Sequence, residues 1–144
     1  MPTAAAVKTL IVDDQQTMRS LIRTSLHALG ITQTREAPDG EEALRQLISA
    51  PANLVITDFN MPKLDGLGLL RAIRAQSPHE SLIYVAAIRA HGPTSKTAVI
   101  MLTGRADREL VQRAVQFGVN NYLVKPFTTQ TLKEKIEAVF GPLT

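Results

Sequence analysis

The chain of 144 residues contains no cysteine and no tryptophan, only two tyrosines and four phenylalanines, and no block of one charge. Without cysteine there is no disulfide, no thiolate metal cage and no cysteine nucleophile, which suits a reducing compartment. The opening MPTAAAVKTLIVDD has no charged start followed by a long apolar stretch, and no run approaches the roughly 18 residues of a membrane span. A cytoplasmic protein without membrane insertion is therefore expected. The 16 lysines and arginines are scattered from Lys8 to Lys135 and leave a net charge of only +3. Nucleic-acid binding needs a converging basic face and, for single strands, aromatic platforms, so no direct nucleic-acid partner is expected.

The apolar content and the length are those of one globular unit with a single core. Leu10-Ile11-Val12, Leu54-Val55-Ile56, Val99-Ile100-Met101-Leu102 and Tyr122-Leu123-Val124 are short, continuous and partly β-branched, the pattern of strands covered on both faces. Thr32 to Ala37 is polar and is placed as a strand only because its neighbours look helical. Between the strands the period becomes helical. Met18, Leu21, Ile22, Ser25 and Leu29 share one face, as do Ala43, Leu44, Leu47 and Ile48. So do Leu110, Val111, Ala114 and Val115, and finally Leu132, Ile136, Val139 and Phe140. Asp39 with Glu42 reads as an N-cap and its N3 partner. Strand and helix alternate about five times, which predicts right-handed crossovers and a doubly wound α/β sheet with helices on both faces.

Ligands of such sheets sit at the carboxyl ends of the strands. There the sequence places Asp13 and Asp14, Asp58, Thr103 and Lys125. A lone strand-end aspartate is as commonly a turn or a cap, but three carboxylates at one edge repel unless their pKa values rise or a cation lies among them. Hard oxygen ligands suit magnesium, which keeps several waters and binds one or two carboxylates together with a phosphate. A carboxylate beside the metal can also act as a nucleophile and form an aspartyl phosphate, and Asp58 is the candidate. Lys125 and Thr103 would then neutralise the incoming phosphoryl oxygens. Pro126 restricts the backbone at Lys125 and admits a cis bond there.

Asp13-Asp14, Asp58-Phe59-Asn60-Met61-Pro62, Thr103-Gly104 and Lys125-Pro126-Phe127 resemble, in order and over nearly the whole chain, the receiver domain of two-component response regulators, of the stand-alone, CheY-like chemotaxis type. The resemblance implies a flavodoxin-like five-stranded parallel sheet in the order 2-1-3-4-5 and a single receiver domain over residues 1–144. It implies that Asp58 accepts phosphoryl from a kinase phosphohistidine. Asp14, the Asp58 carboxylate and the Asn60 backbone carbonyl would bind Mg2+, with Asp13 acting through water. Lys125 would pair with Asp58 and then with the phosphoryl group. Thr103 would swing toward that group and let Tyr122, the switch aromatic, turn inward, giving a two-state element. Asn60 and Arg105 occupy positions that resemble tuners of dephosphorylation, and Gly104 stands where the family often has alanine.

Only Gly141-Pro142-Leu143-Thr144 follow the last predicted helix, so the signal is expected to leave through the domain's own surface. The resemblance supplies a CheA-type histidine kinase phosphotransfer domain as phosphoryl donor and the flagellar motor switch protein as target, with a phosphate sink or relay intermediate as the alternative. A Mg-dependent aspartyl-phosphate phosphohydrolase competes, but it needs a second acid-base carboxylate, and the residue two after Asp58 is Asn60. A receiver that works without phosphorylation would have lost the acidic pair, acceptor or lysine. The expected chemistry is self-phosphotransfer and autodephosphorylation, not turnover of a separate substrate.

One departure stands out. Asp58 to Thr103 is longer than the family pattern by roughly 15 residues, beyond an ordinary connection. Within about 77–96, Ser77-Pro78-His79-Glu80 reads as a helix start and Gly92-Pro93 as a stop, with Leu82, Ile83, Ala86, Ala87 and Ala90 at helical spacing between them. An inserted helix before the fourth strand is expected, with a strand over Leu82 to Val85 as competitor. The insertion either helps select a kinase or target, or embellishes packing. His27, His79 and His91 lie away from the predicted strand ends and suggest no metal or acid-base role.

Overall fold

A computed structural model describes residues 3–61, 63–74, 97–104 and 108–144. The segment expected to be an inserted helix, 77–96, and Arg105 lie outside these residues. A short 3-10 turn at Ala4–Ala6 precedes five strands: β1 (Lys8–Val12), β2 (Gln33–Ala37), β3 (Leu54–Asp58), β4 (Ala98–Thr103) and β5 (Asn121–Val124). The helices are α1 (Gln16–Ala28), α2 (Gly40–Ser49), α3 (Gly66–Ile73), α4 (Arg108–Gln116) and α5 (Thr129–Phe140). The strands form one sheet in the order β2-β1-β3-β4-β5, every neighbouring pair parallel. This is the expected flavodoxin-like architecture.

Alternation along each strand divides the core into two. Leu10, Val12, Val55, Val99 and Met101 pack with Ala43, Leu47, Leu70, Ile73 and Ala114 from α2, α3 and α4. Ile11, Leu54, Ile56, Ile100 and Leu102 point the other way and meet Ile22 and Leu26 of α1 and Leu132 and Ile136 of α5. Continuous apolar runs are what a sheet buried on both faces requires, at about 1.5–3 kcal/mol for each large side chain buried. The edge strand β2 explains its own polar sequence, since its middle residues are only half-buried.

The helices bury the expected faces with two exceptions. Leu21 is 50% exposed and Val115 is 61% exposed. The stripe of α1 runs through Ile22, Ser25 and Leu26, and one residue of helix turns by about 100°, enough to carry Leu21 off it. At α2 the Asp39 side chain accepts from the Glu42 N–H at 2.9 Å, as expected of the cap. Glu42 does not return the bond and pairs instead with Arg45. At α5 the reciprocal box is complete between Thr128 and Thr131.

Arg74, the residue after α3, ties the lower part of the sheet together. Its Nη1 donates to the Thr97 carbonyl at 2.6 Å, and Nε and Nη2 donate to the Gly118 carbonyl. The carbonyls replace water that its half-buried guanidinium loses, and that partial burial lowers its pKa. Arg74 and Thr97 are thereby held together although 22 undescribed residues, 75–96, separate them.

Candidate functional site

The register brings the expected residues to one edge. Val12 lies opposite Thr57, so Asp13 follows β1 at the level of Asp58, the last residue of β3. Asp58 lies opposite Leu102, and Thr103 opposite Val124, so Thr103 and Lys125 follow at the ends of β4 and β5. The ladder continues past the strand ends. Asp13 N–H donates to the Ala37 carbonyl, Phe59 N–H to Leu102, and Lys125 N–H to Thr103. The Lys125–Pro126 peptide is cis.

One carboxylate oxygen from each of Asp13, Asp14 and Asp58 lies within 4.8 Å of the others. Asp14 is exposed and Asp58 half-buried, whereas Asp13 is only 1% exposed. Lys125 Nζ donates to Asp58 Oδ1 at 2.8 Å and stands 3.7 Å from Asp13 Oδ2. Asp13 Oδ1 accepts from the Gln15 N–H at 2.8 Å, but Asp13 Oδ2 is buried without a hydrogen-bond partner. Burial pushes the Asp13 carboxyl above its usual range. The Gln15 N–H opposes that rise, the Asp58 charge adds to it, Lys125 opposes it, and Asp14 adds to it again.

Among the described residues, three carboxylates against one ammonium leave the edge anionic, and a buried acceptor without a donor is costly. An all-oxygen donor set with an open oxygen is what a hard divalent cation takes. The residues therefore fit magnesium.

Sequence reasoning missed how the site is supported. Gly66, the first residue of α3, lies against it. A Cβ there would stand 2.4 Å from the Asp58 carbonyl oxygen and 2.7 Å from Met101 Sδ. Its N–H donates to the Phe59 carbonyl at 2.8 Å, so the backbone behind the acceptor loop packs against a residue without a side chain. Asp65 caps α3 through the Gly68 N–H at 2.7 Å. The Asp65-Gly66 pair after the Asp58 loop was the available signal. Lys63 takes a left-handed backbone, φ 67°, and sets its ammonium 3.7 Å from Asp39. Arg19 and Glu36, which meet beside the Asp13 backbone, were also missed.

Thr103 is buried and lines a small, mainly apolar cavity together with Phe59, Met101, Val111, Ala114, Val119 and Tyr122. Its free space is about 10 Å³, room for about one water. Tyr122 is half-buried, and Lys135 Nζ of α5 stands 5.0 Å from its ring centre. An aromatic ring can enter that cavity only if the lining side chains, Thr103 among them, give way. Asn60 is exposed in the loop after Asp58.

Comparison with known proteins agrees with the geometry. The sequence profile of the family described as "Response regulator receiver domain" matches residues 9–91 and 82–137. The chain belongs to that family. It is 47% identical over 143 residues, 99% of each chain, to a probable chemotaxis protein CheY of Rhizobium etli. It is 45% identical over 134 residues to the chemotaxis protein CheY of Pseudomonas aeruginosa, covering 93% of this chain and 96% of that one. Among solved structures, the receiver domain of a sensor histidine kinase from Pseudomonas aeruginosa superposes with a TM-score of 0.75 at 26% identity, covering 94% of this chain and 98% of that one. That structure carries a magnesium ion in its active-site cleft. The near-complete coverage of the Rhizobium relative shows that a chain of this length is not peculiar to this protein. Among the described residues, no helix is long and apolar enough to cross a membrane.

Proposed function

We propose that this protein is a phosphorylation-dependent signalling switch that takes a phosphoryl group from a kinase phosphohistidine onto Asp58. The observation that carries the reading is the Asp58 carboxylate gripped by Lys125 at 2.8 Å inside a three-carboxylate cluster in which a buried Asp13 oxygen accepts no hydrogen bond. Asp14, Asp58 and the Asn60 carbonyl would hold magnesium, with Asp13 contributing through water. Magnesium, when bound, supplies charge neutralisation at the phosphoryl oxygens. The Asp58 carboxylate attacks phosphorus, the P–N bond to the imidazole breaks, and an acyl phosphate forms. Lys125, held by one oxygen of Asp58, is already placed to follow charge onto the transferred group. Thr103, at the adjoining strand end, turns its hydroxyl to the phosphoryl oxygens and leaves the cavity behind it to Tyr122.

Before phosphorylation Tyr122 stands half-buried beside Lys135. Its inward turn changes the face formed by α4, β5 and α5, through which the signal leaves. The names of the relatives support chemotaxis as the setting. A CheA-type kinase as donor and the flagellar motor switch protein as target belong to the same proposal. We read residues 1–144 as one receiver domain with an insertion at about 77–96, supported by the single sheet and the extent of the family match. Hydrolysis of the acyl phosphate, tuned by Asn60 and Arg105, returns the switch to rest, in a cytoplasmic protein.

The test is transfer of labelled phosphate from a phosphorylated kinase phosphotransfer domain, followed by capture on the N-terminal segment of the motor switch protein. Label on wild type but not on Asp58→Asn, with capture increased by phosphorylation, is the expected outcome. Transfer without increased capture would assign a phosphate sink or relay. No transfer from any phosphohistidine donor would refute the switch.

A further inference from the structure

The turn that carries Asp13 and Asp14 leads into a helix with a weak start. Gln15, the residue before α1, makes no side-chain capping bond, and the first turn of α1 has no acidic residue. The helix thus lacks a side-chain cap, and the turn ahead of it is closed by the Gln15 N–H donating to Asp13 Oδ1 at 2.8 Å. A guanidinium folding back from α1 adds a second hold. Arg19 Nη1 donates to the Asp13 carbonyl at 2.6 Å, and Arg19 Nε donates to Glu36 Oε1 of β2 at 3.1 Å. The second oxygen of Glu36 accepts from Arg23 Nη1 at 2.6 Å. Arg19 is 15% exposed and Glu36 25%. The planar fork of arginine fixes the directions to both acceptors at once, which the rotatable donors of an ammonium hold less rigidly.

The carbonyl that Arg19 holds belongs to the peptide joining Asp13 to Asp14. Fixing the plane of that peptide fixes the directions in which both carboxylates leave the backbone. Besides Arg19, the described hydrogen bonds of Asp13 are its N–H to Ala37 and its Oδ1 from Gln15. We infer that Arg19, locked by Glu36, is a positioning residue that presets the Asp13–Asp14 pair for a divalent cation. The inference rests on the receiver reading above and adds residues outside the acidic cluster to it.

Electrostatics and positioning predict opposite signs, which makes the inference testable. Arg19 is a cation near a cation site, so by Coulomb's law alone its removal tightens magnesium binding. If it acts by positioning, its removal weakens binding, by about tenfold on the scale of outer-shell partners of metal ligands. The experiment is calorimetric titration of magnesium into the metal-free full chain, with the magnesium dependence of phosphorylation by a small-molecule donor measured beside it. Arg19→Met, which keeps the apolar stem, is expected to raise the dissociation constant about tenfold while leaving the rate at saturating magnesium unchanged. Arg19→Lys keeps the charge and is expected to lose part of that affinity. Arg23→Gln removes a charge from the same network without touching Asp13, and is expected to bind magnesium as wild type does or slightly more tightly. Unchanged or tighter binding in Arg19→Met overturns the inference. If that variant does not fold, wild-type affinity in Arg19→Lys overturns it. Wild-type protein that takes no magnesium refutes the switch reading and this inference together, whereas wild-type binding with unaltered Arg19 variants refutes only the inference.

Discussion

Replacing Asp13 by asparagine should stabilise the metal-free protein, although it removes a residue of the site. Asp13 is 1% exposed, its Oδ2 has no hydrogen-bond donor, and Asp14 and Asp58 bring two like charges close against the single ammonium of Lys125. Unit charges about 4 Å apart interact by about 4 kcal/mol at an effective dielectric of 20. Two repulsions less one attraction, damped because Asp14 is exposed, leave a surplus of about 1 to 2 kcal/mol. Asparagine keeps the oxygen that accepts from the Gln15 N–H and offers an amide donor where Oδ2 stood. At roughly 2 to 4 °C per kcal/mol for a domain near this size, its melting temperature without metal should rise by about 2 to 8 °C. The effect has a pH signature. Burial raises the Asp13 pKa above its unfolded value of 3.8. Below that value both states hold the proton and wild type loses nothing; as pH climbs through the folded-state pKa, wild type loses stability and the gap to the asparagine variant opens. Thermal melts at pH 3.5 and 7, with chelator and with magnesium, read all three effects. Wild type should gain stability from magnesium and Asp13→Asn much less. An asparagine variant that melts lower than wild type at pH 7 without metal would refute the reasoning that Asp13 is a buried charge only partly compensated by Lys125 and the Gln15 N–H.

Gly66→Ala should cost about 1–3 kcal/mol in urea unfolding, because its Cβ would meet the Asp58 carbonyl at 2.4 Å and the backbone must move. Wild-type stability there would mean the loop after Asp58 gives freely. Lys125→Met should lower the phosphorylation rate about 10²-fold while tightening magnesium binding, since the same ammonium that follows the phosphoryl group repels the metal. Rates and calorimetry measured on one preparation separate the two. Thr128→Ala opens the capping box of α5 and should cost about 1 kcal/mol without changing magnesium affinity, in contrast to the changes at the strand ends.

The sheet and the strand-end cluster were legible because a parallel sheet buried on both faces leaves uninterrupted apolar runs, and the polar residue ending each run marks the carboxyl edge. Asp13, Asp58, Thr103 and Lys125 followed from that rule alone, and the register confirms that they share one edge. Leu21 and Val115 were misplaced because apolar spacing tolerates a neighbour about 100° round the helix that the fold leaves in water. The β2 strand had no pattern of its own, being an edge. The Arg19–Glu36 link could not be read, since it joins α1 to β2 and becomes visible only when β2 is known to lie beside β1. Gly66 was hidden for a similar reason: its small size answers to Asp58 and Met101, which meet it only in the folded chain. The expected insertion helix and the place of Arg105 fall outside the described residues.

The central claim is that Asp58 is a magnesium-dependent phosphoryl acceptor. Its most direct test is the intact mass of wild type and Asp58→Asn after incubation with a small-molecule phosphoryl donor, with and without magnesium, quenched early enough to catch a short-lived acyl phosphate. The account predicts one phosphoryl adduct on wild type, dependent on magnesium and absent from Asp58→Asn. An adduct that persists in Asp58→Asn, or none on folded wild type under conditions that label a control receiver at every quench time, would contradict it.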